Sequence, residues 1–413
     1  MDESIDGQLD SALAAAAGER EAGGGAWTTQ DQIAHPSPQT WAALRALIDV
    51  VDAISGDLVR VFDLVLERYS WTQGVGGQYF TPRSIIRLTV GVADPRPDGT
   101  IFDPACGSGG FLLGCAQHLM ATAPESNPPT LAGRELNPGI LQIAHLNLLA
   151  HGLQADLGER PTNSLLDLND SAAHDIVLLN PPFNQKNWAT DREIESKVWV
   201  FGPPPRANAN FAWLQRAVSL LSPAGRGVVL MPSESLRDSR SKPREVLQRL
   251  VTEDLVEAVV SLPDGLFPHV RVSACLWVLN KDKGATSTGN GRNRSGQTLF
   301  VDARDMGEQV TRGKWQLPDA VVDSVVRAIK AWRSSEWEMF RPEEVWPGRD
   351  WCGTADISEI KQRDWDLTPS RHISSTPHGE QGKEFDELVQ RLALRMERVR
   401  DLDRILLQKL REQ

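Results

Sequence analysis

At 413 residues, 40% hydrophobic and 24% charged, the chain is large enough to bury a full core and too apolar to be disordered throughout. A formal net charge of −11 excludes a chain that grips nucleic acid through bulk charge alone, and four scattered cysteines without CxxC spacing offer neither a disulfide framework nor a structural metal site. No apolar run is long enough for a membrane span, and the acidic, Gly/Ala-rich start lacks the basic and apolar regions of a secretion signal, which points to the cytoplasm.

Taken in chain order, residues 1–36 read as a disordered tail, low in complexity from Ala14 to Gly25. Residues 37–73 read as a helical segment, because Leu44, Leu47, Ile48, Val51, Ile54, Leu58, Val61, Phe62 and Val65 recur at helical spacing. The loop Gly74-Val75-Gly76-Gly77 opens a unit at 74–281, where short β-branched runs alternate with amphipathic stretches. Strands are predicted at Thr100–Asp103, Thr130–Gly133, Asp175–Leu179, Gly227–Met231, Leu255–Leu262 and Ser273–Leu279. Helices are predicted at Phe111–Thr122, Pro138–His151, Asn210–Leu221 and Pro243–Val251. This alternation is the pattern of an α/β fold with a doubly wound, mostly parallel sheet. The last two strands are too close for a helical crossover, so they are expected to pair antiparallel at one edge.

Residues 282–297 are polar and Gly-rich and read as a flexible loop; 298–382 read as an accessory α+β region with a strand at Thr298–Asp302 and a helix at Pro318–Trp332. From 383 to 413 a long helix is expected, with Phe385, Val389, Leu392, Met396, Val399, Leu406 and Leu410 forming a coiled-coil seam for a partner. The basic residues Arg237, Arg240, Lys242 and Arg244, and Arg292 with Arg294 in the loop, read as solvated.

Two motifs carry chemistry. In Asp103-Pro104-Ala105-Cys106-Gly107-Ser108-Gly109-Gly110-Phe111 a strand ends and a helix begins; the glycines let the backbone approach a ligand and aim free amides at it. A tight turn without a ligand would use the same residues. In Asp175–Phe183 an apolar strand stops at Asn180-Pro181-Pro182-Phe183. Two prolines remove two amide donors and stiffen the backbone. The Asn180 amide oxygen and the Pro181 carbonyl can then accept both hydrogens of one planar amino group, with Phe183 as a stacking face.

Together these motifs resemble those of S-adenosylmethionine-dependent DNA adenine-N6 methyltransferases. The segment Gly77-Gln78-Tyr79-Phe80-Thr81-Pro82-Arg83 is similar to one in the modification subunits of type I restriction–modification systems. The likeness continues through Gly133–Pro138, His145–Gly152, Asn208–Trp213 and Ser261–Phe267. The resemblance implies a seven-stranded, mostly parallel methyltransferase sheet with one antiparallel edge strand, a short helical N-terminal segment and a long C-terminal coiled-coil helix.

By the same resemblance Gln78, Tyr79, Phe80, Thr81, Pro82 and Arg83 lie against the methionine part of S-adenosyl-L-methionine, with Ser108, Gly109 and Gly110 beneath it. Asp103 lies near its methionyl amino group, Glu135 accepts the ribose hydroxyls, and Asn163 stands where the family often has an Asp on the adenine amino group. Asn180, Pro181, Pro182 and Phe183 are the implied catalytic residues, with no metal. Phe267 is either a second stacking face for the base or an ordinary core residue. DNA, a specificity subunit and a restriction subunit are the implied partners. Methylation of a protein glutamine or an RNA amino group is the rival activity, since the chemistry asks only for a planar NH2. A non-catalytic scaffold is the third reading.

Overall fold

The computed structural model describes residues 81–373 apart from 168–172, 197, 239, 268–272, 285–290, 312–313 and 347–349, together with the isolated positions 59, 63 and 66. The tail, the Gly74–Gly77 loop, Gln78, Tyr79, Phe80 and the terminal helix from 383 lie outside the described residues, as does nearly all of the helical segment at 37–73.

The chain runs α1 (Arg83–Ala93), β1 (Thr100–Asp103), α2 (Gly110–Thr122), β2 (Thr130–Gly133), α3 (Pro138–Ala150), β3 (His174–Leu179), α4 (Asp191–Ile194) and α5 (Asn210–Leu220). It continues through β4 (Leu221–Pro232), α6 (Ser241–Thr252), β5 (Val256–Ser261), β6 (Ala274–Asn280), β7 (Gln297–Asp302), the hairpin β8 (Glu308–Thr311) and β9 (Lys314–Gln316), α7 (Asp319–Arg333), α8 (Pro342–Val345), β10 (Cys352–Asp356) and α9 (Ile357–Gln362). Every predicted strand and helix between 100 and 333 is present within one or two residues, except that β4 begins at Leu221, six residues before the predicted Gly227. The helix α1 was not among them; its sequence RSIIRLTVGVA is rich in β-branched residues, which lower helix propensity.

One eight-stranded sheet has the order β2-β1-β3-β4-β6-β5-β7-β10. β1 pairs parallel with β2 and β3, β3 with β4, and β5 with β7. Side chains alternate across it. Ile101, Ile176 and Leu178 pack with α1, α2, α3 and α7 on one face, whereas Phe102, Val177, Leu179 and Val229 pack with α5 and α6 on the other. Burial of both faces explains why these strands read as nearly unbroken apolar runs.

Two expectations need correction. The sheet has eight strands, not seven. The antiparallel strand β6 does not form an edge: it inserts between β4 and β5 and pairs antiparallel with both. The strand β7, parallel to β5, and β10, antiparallel to β7, then extend the sheet, so two of its strands come from the stretch after 281. The edge position is taken by β10, which is also antiparallel.

The basic loop is also not solvated as expected. Arg294 is buried and pairs with Glu257 of β5, while the Arg292 guanidinium lies 4.2 Å over the Trp332 ring. Arg240 pairs with Asp238, and Arg244 with Asp364. Among the described residues no helix is long and apolar enough to cross a membrane.

Candidate active site

The carboxyl ends of β1, β2 and β3 meet at one cleft, the place where open α/β sheets bind ligands. The first wall is the turn after β1. Gly107 and Gly109 have φ of +54° and +81°, a left-handed backbone that glycine enters without strain, and Gly109 caps α2. Asp103 Oδ1 accepts from the Ala105 amide at 3.0 Å, and Cys106 N donates to Arg134 O at 2.9 Å, tying the turn to the end of β2. From α3, Asn147 Nδ2 donates to Ser108 O at 2.8 Å and holds the turn from behind.

The second wall follows β2. Glu135 is half-buried; its Oε2 accepts from the Gly107 amide at 3.1 Å and its Oε1 from the Asn137 amide at 2.8 Å. Asn137 in turn caps α3, accepting from the Gly139 and Ile140 amides, with Pro138 at the first helical position. Asn163 Oδ1 accepts from the Leu165 amide at 3.2 Å, and the Ser164 hydroxyl donates to Pro104 O, which draws this loop to the first turn.

The third wall is the end of β3. Asn180, Pro181, Pro182 and Phe183 line the cleft together with Pro104, Gly107, Ser108, Glu135, Asn163 and Phe267. Behind Phe183 a reciprocal amide pair braces the loop: Asn184 N donates to Asn210 Oδ1 at 2.9 Å, and Asn210 Nδ2 to Asn184 Oδ1 at 2.8 Å. Phe183 and Phe267 meet edge-on with ring centroids 6.3 Å apart. A planar base stacked between them requires the rings to part and turn. Phe267 is 6% exposed, so it belongs to the core and to the cleft lining at once. Its loop is held by Trp315 of β9, whose ring lies against Gly265 so closely that a Cβ there would stand 2.6 Å from it.

Other sequence-selected residues sit outside the lining. Asp103 is buried beneath the turn. Burial, opposed by the Ala105 amide and reinforced by the nearby Glu135 carboxylate, pushes its carboxyl up to about 8. Cys106 is also buried, which pushes its thiol well above the ordinary range and suits a packing role. Gly109 and Gly110 support the turn from the helix side without lining the cleft. Pro82 caps α1, and Arg83, largely exposed, reaches Asp63 at 3.5 Å. Thr81 accepts a hydrogen bond from Asn180 Nδ2 at 2.8 Å.

Lining residues that sequence reasoning did not select include Leu136, Ile140, Thr162, Ser164, Gln185 and Trp213. Leu136, 56% exposed, had a usable signal: an apolar residue beside Glu135 at a strand end. Gln185 and Trp213 each carry a buried polar atom, Oε1 and Nε1, without a partner among the described residues.

The family model of N-6 DNA methylases matches residues 54–381. The chain belongs to the N-6 DNA methylase family. It is 32% identical over 340 residues to the type I restriction enzyme HindI methylase subunit of Haemophilus influenzae, a match covering 81% of this chain and 72% of that one. With the MjaIX methylase subunit of Methanocaldococcus jannaschii it shares 26% identity over 83% of this chain but only 61% of the relative. Among solved structures, the methyltransferase subunit of a type I restriction–modification system from Streptococcus thermophilus superposes with a TM-score of 0.67 at 18% identity, covering 84% of this chain and 71% of that one. The EcoKI M protein gives 0.56 at 18% identity, covering 96% and 91%. These last two are likenesses of fold.

The family's methyl donor is S-adenosylmethionine, and the cleft fits it. Each Glu135 oxygen keeps a lone pair beyond the backbone amide it already accepts, enough for a vicinal diol. Pro104, Leu136 and Ile140 supply apolar wall, and the backbone at Gly107 and Ser108 lines the floor with no side chain larger than a hydroxymethyl.

Proposed function

We propose that this chain is the modification subunit of a type I restriction–modification system: a DNA adenine-N6 methyltransferase that reads its site through a separate specificity subunit, with a restriction subunit as a further partner in the cytoplasm. The observation that carries this reading is the convergence of Asn180-Pro181-Pro182-Phe183, Glu135 and the Gly107–Ser108 backbone in one cleft. Family membership favours DNA over a protein glutamine or an RNA amino group, and the intact Asn-Pro-Pro-Phe disfavours an idle scaffold.

S-adenosylmethionine supplies an electrophilic methyl group when bound. The target adenine has to leave the helix stack, because its amino group is otherwise held in a base pair. Asn180 Oδ1 and the Pro181 carbonyl accept the two amino hydrogens, which raises electron density on nitrogen and aims its lone pair. Phe183 stacks on the ring. Fixed acceptors placed before reaction supply the acceleration through orientation and electrostatics.

Glu135→Ala is expected to weaken S-adenosylmethionine binding by roughly 10²- to 10⁴-fold, at about 1.5–3 kcal/mol for each of the two hydrogen bonds lost to a charged group. Titration calorimetry measures it, and an unchanged Kd would remove Glu135 from the donor's site.

A net charge of −11 leaves the chain poorly suited to holding DNA by itself, so sequence reading and basic surface are assigned to the partner. The seam running from Phe385 to Leu410 in the sequence is the segment proposed to meet it. Genomic DNA from a host expressing the chain with its specificity subunit should carry N6-methyladenine in one defined motif, detected by single-molecule sequencing. Expressed alone, the chain should leave that motif nearly unmodified. Motif-specific methylation by the chain alone would overturn the division of labour, and its absence with the specificity subunit would overturn the function.

A further inference from the structure

The catalytic asparagine has to present one particular end of its carboxamide. Only Oδ1 can accept a hydrogen from the base, yet rotation about the terminal torsion of Asn is broad and nearly two-fold, so an unheld side chain offers the wrong end about as readily. Here Asn180 Nδ2 donates to the Thr81 hydroxyl oxygen at 2.8 Å, 99 residues away in sequence. Among the described residues no protein donor reaches Asn180 Oδ1, which is left for the cleft that Asn180 lines. Thr81 itself does not line that cleft.

Thr81 is mounted rigidly. It precedes Pro82, which confines its backbone to extended conformations, and its branched Cβ restricts χ1. Pro82 is the N-cap of α1 at φ −56°, and its carbonyl accepts the first helical hydrogen bond, from Ile86 N at 2.9 Å. The far end of α1 is fixed as well: Arg226 donates to Ala93 O and Arg333 to Val92 O, both at 2.7 Å.

We propose that Thr81 is a positioning residue for methyl transfer: its hydroxyl, which can serve either end of a carboxamide, fixes the plane of the Asn180 side chain through the bond from Nδ2, and the amino hydrogens of the extruded base, which only Oδ1 can accept, meet the group already in place. This role differs from direct contact with the methyl donor, and it rests on the function proposed above. A hydroxyl that takes an amide hydrogen also polarises the carboxamide, making Oδ1 the stronger acceptor.

The test uses the full chain assembled with its specificity subunit. Thr81→Val keeps the side chain's shape and removes the hydroxyl; Thr81→Ser keeps the hydroxyl and removes the methyl. Thr81→Val should lower kcat by roughly 10- to 100-fold, the effect of a misplaced reacting group, with KM for DNA and Kd for S-adenosylmethionine each within about threefold of wild type. Thr81→Ser should restore kcat to within about threefold. The retained Kd of Thr81→Val also reports that the variant is folded. If Thr81→Val keeps kcat within twofold, or loses S-adenosylmethionine affinity in proportion to its rate, the positioning role is overturned while the wild-type complex still methylates DNA. Failure of Thr81→Ser to rescue would overturn it too. A wild-type complex that does not methylate DNA would overturn the role together with the function it rests on.

Discussion

Asn180→Ala should lower the rate of adenine methylation by roughly 10²- to 10⁴-fold while leaving S-adenosylmethionine affinity within about twofold. The amino nitrogen of adenine is a poor nucleophile because its lone pair is delocalised into the ring. In the proposed mechanism the acceptor pair at Asn180 Oδ1 and Pro181 O localises that pair, and both are needed because the nitrogen carries two hydrogens. Alanine keeps the Pro181 carbonyl and removes the other acceptor. It also leaves the Glu135 wall and the Gly107–Ser108 floor untouched, since these stand on β1 and β2. Phe183→Ala should act differently: loss of a stacking face costs about 1–3 kcal/mol per base, so it weakens binding of the extruded base as well as the rate. Single-turnover transfer of labelled methyl, with calorimetry on the same samples, separates the effects. Equal losses of rate and cofactor affinity in Asn180→Ala would show that the two halves of the cleft are assigned wrongly.

How much of this was legible in the sequence depends on how local the constraint is. The turn after β1 declares itself because Gly107 and Gly109 answer to a left-handed backbone, and Asn137-Pro138 because a cap and a first-turn proline mark a helix start. Asn180-Pro181-Pro182-Phe183 is legible because, although Asn-Pro-Pro is a common way to end a strand, here it ends a core strand in the same sheet as the Gly-rich turn. The position of β6 is not: its pairing with both β4 and β5 is set by contacts across the sheet, and a short connection specifies only antiparallel pairing with a neighbour. Trp213 belonged to a recognised motif and Gln185 stood just after one, yet nothing local says that a residue on α5, or in the loop after β3, faces a cleft made by β1, β2 and β3. Thr81 was legible as part of a motif and illegible as a partner of Asn180, because that contact joins two segments through the tertiary fold alone.

Glu257→Gln should destabilise the fold by about 3–5 kcal/mol, lowering Tm by roughly 10 °C, without loss of S-adenosylmethionine affinity at temperatures where the variant is folded. Glu257 is a lone charge in the apolar strand β5, fully buried, and its sequence neighbours offer it no counter-ion. The sheet supplies three. Arg333 of α7 makes a two-point contact, Nε to Oε1 at 3.1 Å and Nη2 to Oε2 at 2.9 Å; Arg226 of β4 stands 3.2 Å from Oε2, and Arg294 pairs with Oε1. Removing the anion that all three share leaves buried Arg294 and half-buried Arg226 and Arg333 facing one another, and breaking such a cluster costs more than the cluster itself contributed.

The pH dependence has a definite sign. Burial alone would push the Glu257 carboxyl up, but Arg333, Arg226 and Arg294 outweigh it and hold the carboxyl well below the ordinary carboxylate range. Its stabilisation is therefore complete above the unfolded value, near 4.3, and lost only as pH falls through the lower folded value. Wild type should outlast Glu257→Gln most clearly at neutral pH, and the gap should close in acid; thermal unfolding at several pH values measures it, and a gap independent of pH would contradict the assignment. The cluster sits at the amino ends of β4 and β5, opposite the cleft, yet Arg226 and Arg333 also cap the last carbonyls of α1, whose other end carries Thr81. A loosened cluster is thus expected to lower kcat modestly through Thr81 and Asn180 while sparing Glu135, so the residual effect of Glu257→Gln on activity should vanish in a Thr81→Val background.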